Sequence, residues 1–414
     1  MNMHKPKPKH ALSVGKINSG TIFNLVLMLA WLHNTVVAYV LTLVGRMPYI
    51  GVPITTVYPF VLWVLVFLSL PWMCRRLGVF ELLLYSISAI IVFGTPLIYP
   101  AYTELIDSET NRILVVAIPM IFIGVCYDHK RHQNLLFFSS ILGSMVPLAY
   151  QVYQLMIGRE LEMDSMHHAY LAVPHILYLL YVAADRKETK YWVIALLGSF
   201  TIFVYGTRGP LLCILVFLSI CLLMKIRTTT SGARRVLFTI LVVGLLLVTF
   251  SGDWMIKISQ TLSRVFGNIG FSTRIFDFYI EGEIADGTGR ERLIPRALSL
   301  LQDSPLWGYG LMGDRFVLGR YPHNMFVELW FQFGYLLGTV ILVAFWIPPI
   351  MALYKTRHDR SCFLCVCALL CLGYIKVLLS SSYIVEPYLF FALGACLSIL
   401  RQSRATCLRE GDAE

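Results

Sequence analysis

Twelve continuously apolar runs, most of them about 20 residues long, constrain this chain more than any other feature. They lie near 20–44, 54–73, 79–99, 112–127, 134–156, 168–184, 190–206, 209–226, 235–251, 323–350, 361–381 and 385–400. A run of that length matches the hydrocarbon thickness of a bilayer when it is helical, because the helix satisfies its own backbone hydrogen bonds. The runs do not alternate apolar with polar residues, which argues against a transmembrane β-barrel. Only 14% of the 414 residues are charged and 57% are hydrophobic, whereas a soluble chain carries about 25% charge. The fold class expected is an all-α polytopic membrane protein with about 12 transmembrane helices and one long external loop.

The basic residues test that topology. With the N-terminus inside, 21 of the 34 lysines and arginines fall on inner segments, among them Arg75, Arg76, Lys130, Arg131, Arg186, Arg360 and Arg401. The short outer loops carry four: Arg46, Arg112, Arg159 and Arg208. This asymmetry is the positive-inside pattern, and it predicts cytoplasmic termini. The net charge of +10 is then a topology signal, and a nucleic-acid partner is not expected. The basic start Met1–Lys16 precedes an apolar run from Ile22 to Leu43 that is long enough to span and has no small-residue cleavage site behind it, so a first span is expected there. The domains expected are spans 1–9 over 1–251, an external loop over 252–322, spans 10–12 over 323–400, and a tail over 401–414.

The ten cysteines avoid the 252–322 loop, as fits a loop in an oxidising compartment. Cys362, Cys365 and Cys367 have a metal-like spacing, but they begin an apolar run with only His358 nearby. Small core residues are the expectation, and no metal site or cofactor is predicted.

The polar groups that can do chemistry gather on the outer side. Tyr205-Gly206-Thr207-Arg208-Gly209-Pro210 forms a tight turn into the eighth span. Pro210 suits the first turn of the helix that follows. Arg208 is then a cation near a helix N-terminus, which an anion would stabilise; a snorkelling arginine is the plainer alternative. The loop opens with Trp254–Phe266, whose Ile258, Leu262, Val265 and Phe266 share one face, as in an amphipathic helix on a membrane surface. Thr288-Gly289-Arg290-Glu291 has the form of a capping box and predicts a helix through Leu301. Pro295 requires either a kink or a start near Ile294. Arg290, Arg292 and Arg296 crowd this segment; Arg292 and Arg296 share a face, and pairing with Asp286, Glu291 or Asp303 is the competing use.

Trp307-Gly308-Tyr309-Gly310 reads as a turn with interfacial aromatics, and Pro322-His323-Asn324 opens the tenth span. Asn324 can cap that helix, which leaves His323 beside outward N–H groups. Glu328 and Lys376 lie inside the tenth and eleventh spans. Charges there are usually paired or functional, and a Glu328–Lys376 pair is expected.

Thr207-Arg208-Gly209, Gly287-Thr288-Gly289-Arg290, Ser304-Pro305-Leu306-Trp307-Gly308-Tyr309-Gly310, His323-Asn324 and Phe333-Gly334-Tyr335-Leu336-Leu337-Gly338 together resemble the O-antigen ligase and Wzy-type polysaccharide polymerase superfamily, over about Tyr205 to Gly338. The chain departs from the family pattern in lacking a tryptophan near Ile294 and in carrying Thr207 where serine is common. The resemblance implies a GT-C-like architecture and metal-independent, inverting glycosyl transfer at the periplasmic face of a bacterial inner membrane. The donor it implies is an undecaprenyl-pyrophosphate-linked glycan. It maps the family's catalytic groups onto Arg208, Arg290 and His323. Gly289, Arg292, Arg296, Tyr309 and Asn324 are expected around them as substrate contacts. The partners implied are an acceptor glycan, the lipid bilayer and a chain-length regulator.

The chemistry is consistent with those residue types. Arginine presents a planar, permanently charged fork to phosphate oxygens. His323 can take a proton from an attacking hydroxyl near neutral pH, with a third phosphate contact as its alternative role. Polymerisation of repeat units is the leading reading, with Tyr321-Pro322-His323-Asn324 and Glu328 its slender basis. A ligase that uses lipid A-core as acceptor is the first alternative. A flippase or transporter is the second; transporters often show internal repeats and broken helices at the midplane, whereas no repeat is visible here and the polar motifs lie at one surface.

Overall fold

The computed structural model describes residues 19–41, 51–156, 165–205, 208–228, 232, 253–268, 273, 276–277, 280, 290–304 and 306–411. Among these residues the chain is helical, without a β-strand. The helices are α1 (Ser19–Thr35), α2 (Gly51–Met73), α3 (Val79–Ile98), α4 (Thr103–Asn111), α5 (Met120–Cys126), α6 (His129–Met156), α7 (Ser165–Arg186), α8 (Thr189–Tyr205) and α9 (Arg208–Thr228). They continue with α10 (Asp253–Asn268), α11 (Arg290–Leu301), α12 (Gly313–Leu318), α13 (Met325–Thr356), α14 (Arg360–Leu370), α15 (Lys376–Leu379) and α16 (Pro387–Gly411).

Eleven of the twelve apolar runs fall on these helices; the run 235–251 lies outside the described residues. Six helical segments among the described residues are long and apolar enough to cross a membrane: Ser19–Tyr39, Val79–Ile98, Pro100–Cys126, Gly209–Ile226, Met325–Thr356 and Arg360–Leu379. Phe60–Met73 and Pro387–Gln402 are shorter apolar helices.

The core gathers around α16, which packs closely on α5 and α13. Gly124 and Gly394 face each other there, and a Cβ on either would collide with the other helix's backbone. Small residues let two helices approach where lipid supplies no hydrophobic drive between them. Trp31 of α1 is fully buried; its indole donates to Ser140 Oγ at 3.0 Å and its carbonyl accepts from Tyr388 OH at 3.0 Å. Such bonds matter because a polar group unpaired in hydrocarbon is costly. Cys362, Cys365 and Cys367 are free thiols buried in this core. Among the described residues no group of three His, Cys, Asp or Glu side chains could hold a metal ion.

Of the 252–322 stretch, the amphipathic segment forms α10, one residue longer at its start than the Trp254–Phe266 reading. The arginine-rich segment forms α11, which begins at Arg290 and runs on with Pro295 inside it. Thr288 and Gly289, on which the capping-box reading rests, lie outside the described residues. Leu293, Ala297 and Leu301 of α11 bury themselves with Leu318, Val327 and Phe331, so the arginine-rich helix is anchored directly on the start of α13.

Candidate active site

Two glycine-containing motifs, far apart in sequence, form one joint. Helix α13 breaks at Gly334, where φ is 72° and ψ 173°. The break turns the carbonyls of Phe331 and Gln332 towards the Trp307–Gly310 turn. Tyr309 N donates to Phe331 O and Gly310 N to Gln332 O, each at 2.8 Å. Glycine is required on both sides. Gly308 has φ 66°, and a Cβ there would sit 2.5 Å from Gly334 N; a Cβ on Gly334 would collide with the Leu306 carbonyl. Left-handed backbone and a close approach both favour a residue without a side chain. The Tyr309 ring stacks on Phe331 at 4.6 Å and its hydroxyl donates to Leu300 O at 2.8 Å, tying α11 into the same joint.

The joint delivers the short helix α12 beside the first turn of α13, where a buried polar cluster forms. Asp314 and Glu328 are both fully buried. Arg315 Nη1 lies 3.0 Å from Asp314 Oδ2 and 3.3 Å from Glu328 Oε1, and Nη2 donates to Ser382 Oγ at 2.6 Å. Ser382 Oγ in turn donates a hydrogen bond to Glu328 Oε1. Gln332 donates to Asp314 at 2.8 Å and accepts from Tyr383 OH at 2.6 Å. Burial alone would lower the pKa of Arg315, but Asp314 and then Glu328 outweigh it and hold the guanidinium above its ordinary value. Burial, reinforced by Glu328 and Asp314, pushes the Tyr383 phenol well up, so it serves as a neutral donor.

The expected Glu328–Lys376 pair is corrected here. Lys376 Nζ pairs with Glu386 Oε2 at 2.7 Å, while Glu328 pairs with Arg315. Burial of both charges was legible, but α12 supplies a partner from outside the apolar runs.

His323 stands next to this cluster. Asn324 takes the N-cap of α13, its Oδ1 accepting from Phe326 N at 3.0 Å and Val327 N at 3.3 Å. His323 is therefore the residue just before the cap, and its φ is 56°. Left-handed backbone in a non-glycine residue costs about 1–2 kcal/mol and persists where surrounding contacts enforce it. Such contacts include the Tyr321 ring, 4.2 Å away, and the Ser380 carbonyl oxygen, 2.8 Å from Nδ1. A carbonyl can only accept, so Nδ1 carries a proton, and in the neutral ring the lone pair is on Nε2. Tyr321 OH donates to the same carbonyl at 3.2 Å, and the Arg315 guanidinium lies 5.1 Å above the Tyr321 ring.

The loop 380–386 is thus the hub of the site. Ser380 meets His323, Ser381 Oγ donates to Glu386 Oε2 at 3.0 Å, and Ser382 and Tyr383 meet the Arg315 cluster. The start of α9 reaches the same end of the bundle. Helix α9 starts at Arg208 and packs on 371–379. Gly209 presses against the Tyr170 hydroxyl, and the Tyr170 ring lies 5.3 Å from Lys376 Nζ.

The structure accordingly brings His323, Asn324, Tyr309 and the helix starts at Arg208 and Arg290 to one end of the bundle, with the side chains of those two arginines and all of Gly289 outside the described residues. Arg292 and Arg296 are exposed on the side of α11 away from its buried face. Arg315, Asp314, Ser382 and Glu386 were not singled out in the sequence. Three consecutive serines and a glutamate at the junction of the last two apolar runs were the available signal.

Neither a curated protein nor a solved structure matches this chain. One family model does, described as O-Antigen ligase, and it covers residues 193–343, from within α8 to the middle of α13. That stretch encloses Arg208, Arg290, the Gly308–Gly334 joint and His323, and over it, less than half of the chain, the protein is similar to the O-antigen ligases of the O-antigen ligase and polymerase superfamily.

Proposed function

We propose that this protein is an inner-membrane glycosyltransferase that moves an undecaprenyl-pyrophosphate-linked glycan onto an acceptor glycan at the periplasmic face, polymerising surface-polysaccharide repeat units. The observation that carries the reading is the setting of His323: left-handed backbone before a helix N-terminus, Nδ1 against the Ser380 carbonyl, and Nε2 as the nitrogen able to receive a proton. The acceptor hydroxyl oxygen attacks the anomeric carbon of the donor sugar from the face opposite the pyrophosphate, and its proton passes to Nε2 of His323. The bond from the anomeric carbon to the phosphate oxygen breaks with inversion, and undecaprenyl pyrophosphate leaves with the electron pair. Arg208 and Arg290, at the starts of α9 and α11, neutralise the leaving pyrophosphate, each as a bidentate fork beside a helix N-terminus. Gly289, Arg292, Arg296, Tyr309 and Asn324 make up the surrounding donor and acceptor contacts.

A lipid-linked donor also needs a place for its tail. An apolar cavity of about 530 Å³ runs between α1, α2, α3 and α5. Pro387 and Tyr388 line it directly after the hub loop, and Met73, Cys74 and Leu77 line it at the opposite end of the helices. Hydrocarbon is the chemistry such walls accept.

The test is reconstitution in proteoliposomes with lipid-linked repeat units, with and without lipid A-core. Polymer from the donor alone supports the polymerase. Product only when lipid A-core is present makes it a ligase. Donor that crosses the bilayer with its glycosidic bond intact makes it a flippase and overturns the reading.

A further inference from the structure

We infer that Arg315, clamped between Asp314 and Glu328, is a positioning residue that fixes the 380–383 loop and thereby holds the His323 imidazole in one tautomer. For its effect on turnover, the inference rests on the reading of His323 as proton acceptor; for its structural content it does not. Three elements meet at this guanidinium: α12, the first turn of α13, and the hub loop, which is remote in sequence from the other two. Its two terminal nitrogens do different work. Nη1 spans the two buried carboxylates at 3.0 and 3.3 Å, and Nη2 reaches Ser382 Oγ at 2.6 Å. Glu328 adds a second hold on the loop through Ser382 Oγ and through Tyr383 N at 3.4 Å. Two residues upstream, the Ser380 carbonyl receives His323 Nδ1 at 2.8 Å. The position of that carbonyl therefore depends on where Ser382 is held.

The consequence is a defined proton on a defined atom. Free imidazole in water prefers the proton on Nε2, which would block acceptance there. A carbonyl fixed against Nδ1 reverses the preference and leaves the lone pair on Nε2. Lysine cannot replace Arg315 in this role. One ammonium on a flexible stem can meet the carboxylates or the serine, whereas the planar fork meets both.

The experiment uses the full-length protein in nanodiscs with ¹⁵N-labelled histidine, the His323 signal being assigned by its loss in His323→Ala. Wild type is expected to show the Nδ1–H tautomer. Arg315→Lys and Ser382→Ala, the second of which removes only a hydroxyl, are expected to show a mixture with the Nε2–H form and at least about a 10-fold fall in turnover. An unchanged tautomer in both folded variants overturns the positioning role. A shifted tautomer together with full activity in His323→Ala leaves the positioning standing and overturns the catalytic reading instead. If Arg315→Lys does not fold, Ser382→Ala decides the question alone.

Discussion

The Lys376 ammonium and the Glu386 carboxylate meet at 2.7 Å, with only 10% and 4% of their side chains exposed. The pair closes the hub loop on itself, since Lys376 opens α15, the short helix that leads into the loop, and α16 leaves it just after Glu386. Removing one partner leaves a buried charge alone, which costs about 3–5 kcal/mol, while replacing both with apolar residues of similar volume is close to neutral. Lys376→Met and Glu386→Leu should each lower the unfolding temperature of the detergent-solubilised protein, and the double variant should recover most of the loss. Strictly additive losses would argue against a coupled pair.

The joint between Gly308 and Gly334 makes a second prediction. Gly334→Ala puts a side chain on left-handed backbone, at about 1–2 kcal/mol, and against the Leu306 carbonyl. It should destabilise the 304–334 region more than Gly319→Ala does. Gly319 also has positive φ, but a Cβ there meets nothing within 4 Å. Limited proteolysis of membranes carrying each variant measures this, and equal susceptibility would contradict the packing argument.

The topology is checked by reporters. The alternation of basic residues predicts that a periplasm-only reporter works when fused at Gly282 and that a cytoplasm-only reporter works after Glu414. A cytoplasmic reporter active at Gly282 would invert the orientation and move the site to the wrong face.

How much of this was legible follows from the range over which each feature acts. The apolar runs are local, and eleven of them coincide with described helices. The N-cap at Asn324 was equally local. The Trp307-Gly308-Tyr309-Gly310 and Phe333–Gly338 motifs were visible as motifs, but the hydrogen bonds that seat the first beside the second run to the carbonyls of Phe331 and Gln332 and leave no periodic trace. Glu328 and Lys376 were recognised as buried charges and then matched to each other, because Arg315 lies in a polar segment where an arginine looks solvated. The hub loop escaped notice because Ser380, Ser381 and Ser382 are small enough to pass as the tail of an apolar helix.

The arginines carry the next prediction. Arg208→Lys keeps the charge and loses the bidentate fork. It should remain poorly active at normal membrane levels, and Arg290→Ala should lose more than about 10²-fold in turnover. Transfer by the wild-type protein should continue in EDTA. Activity lost to the chelator and restored by a divalent ion would show that the arginines do not do a metal's work.

The account turns on His323, and the most direct measurement compares donor binding with turnover in His323→Ala. Purified variant and wild type, in the same lipid, are given the undecaprenyl-pyrophosphate-linked glycan. Its dissociation constant and the rate of glycosidic bond formation are then read separately. If His323 receives the acceptor's proton, affinity stays within about 3-fold while turnover falls by at least about 10²-fold. Wild-type turnover from His323→Ala would contradict the account.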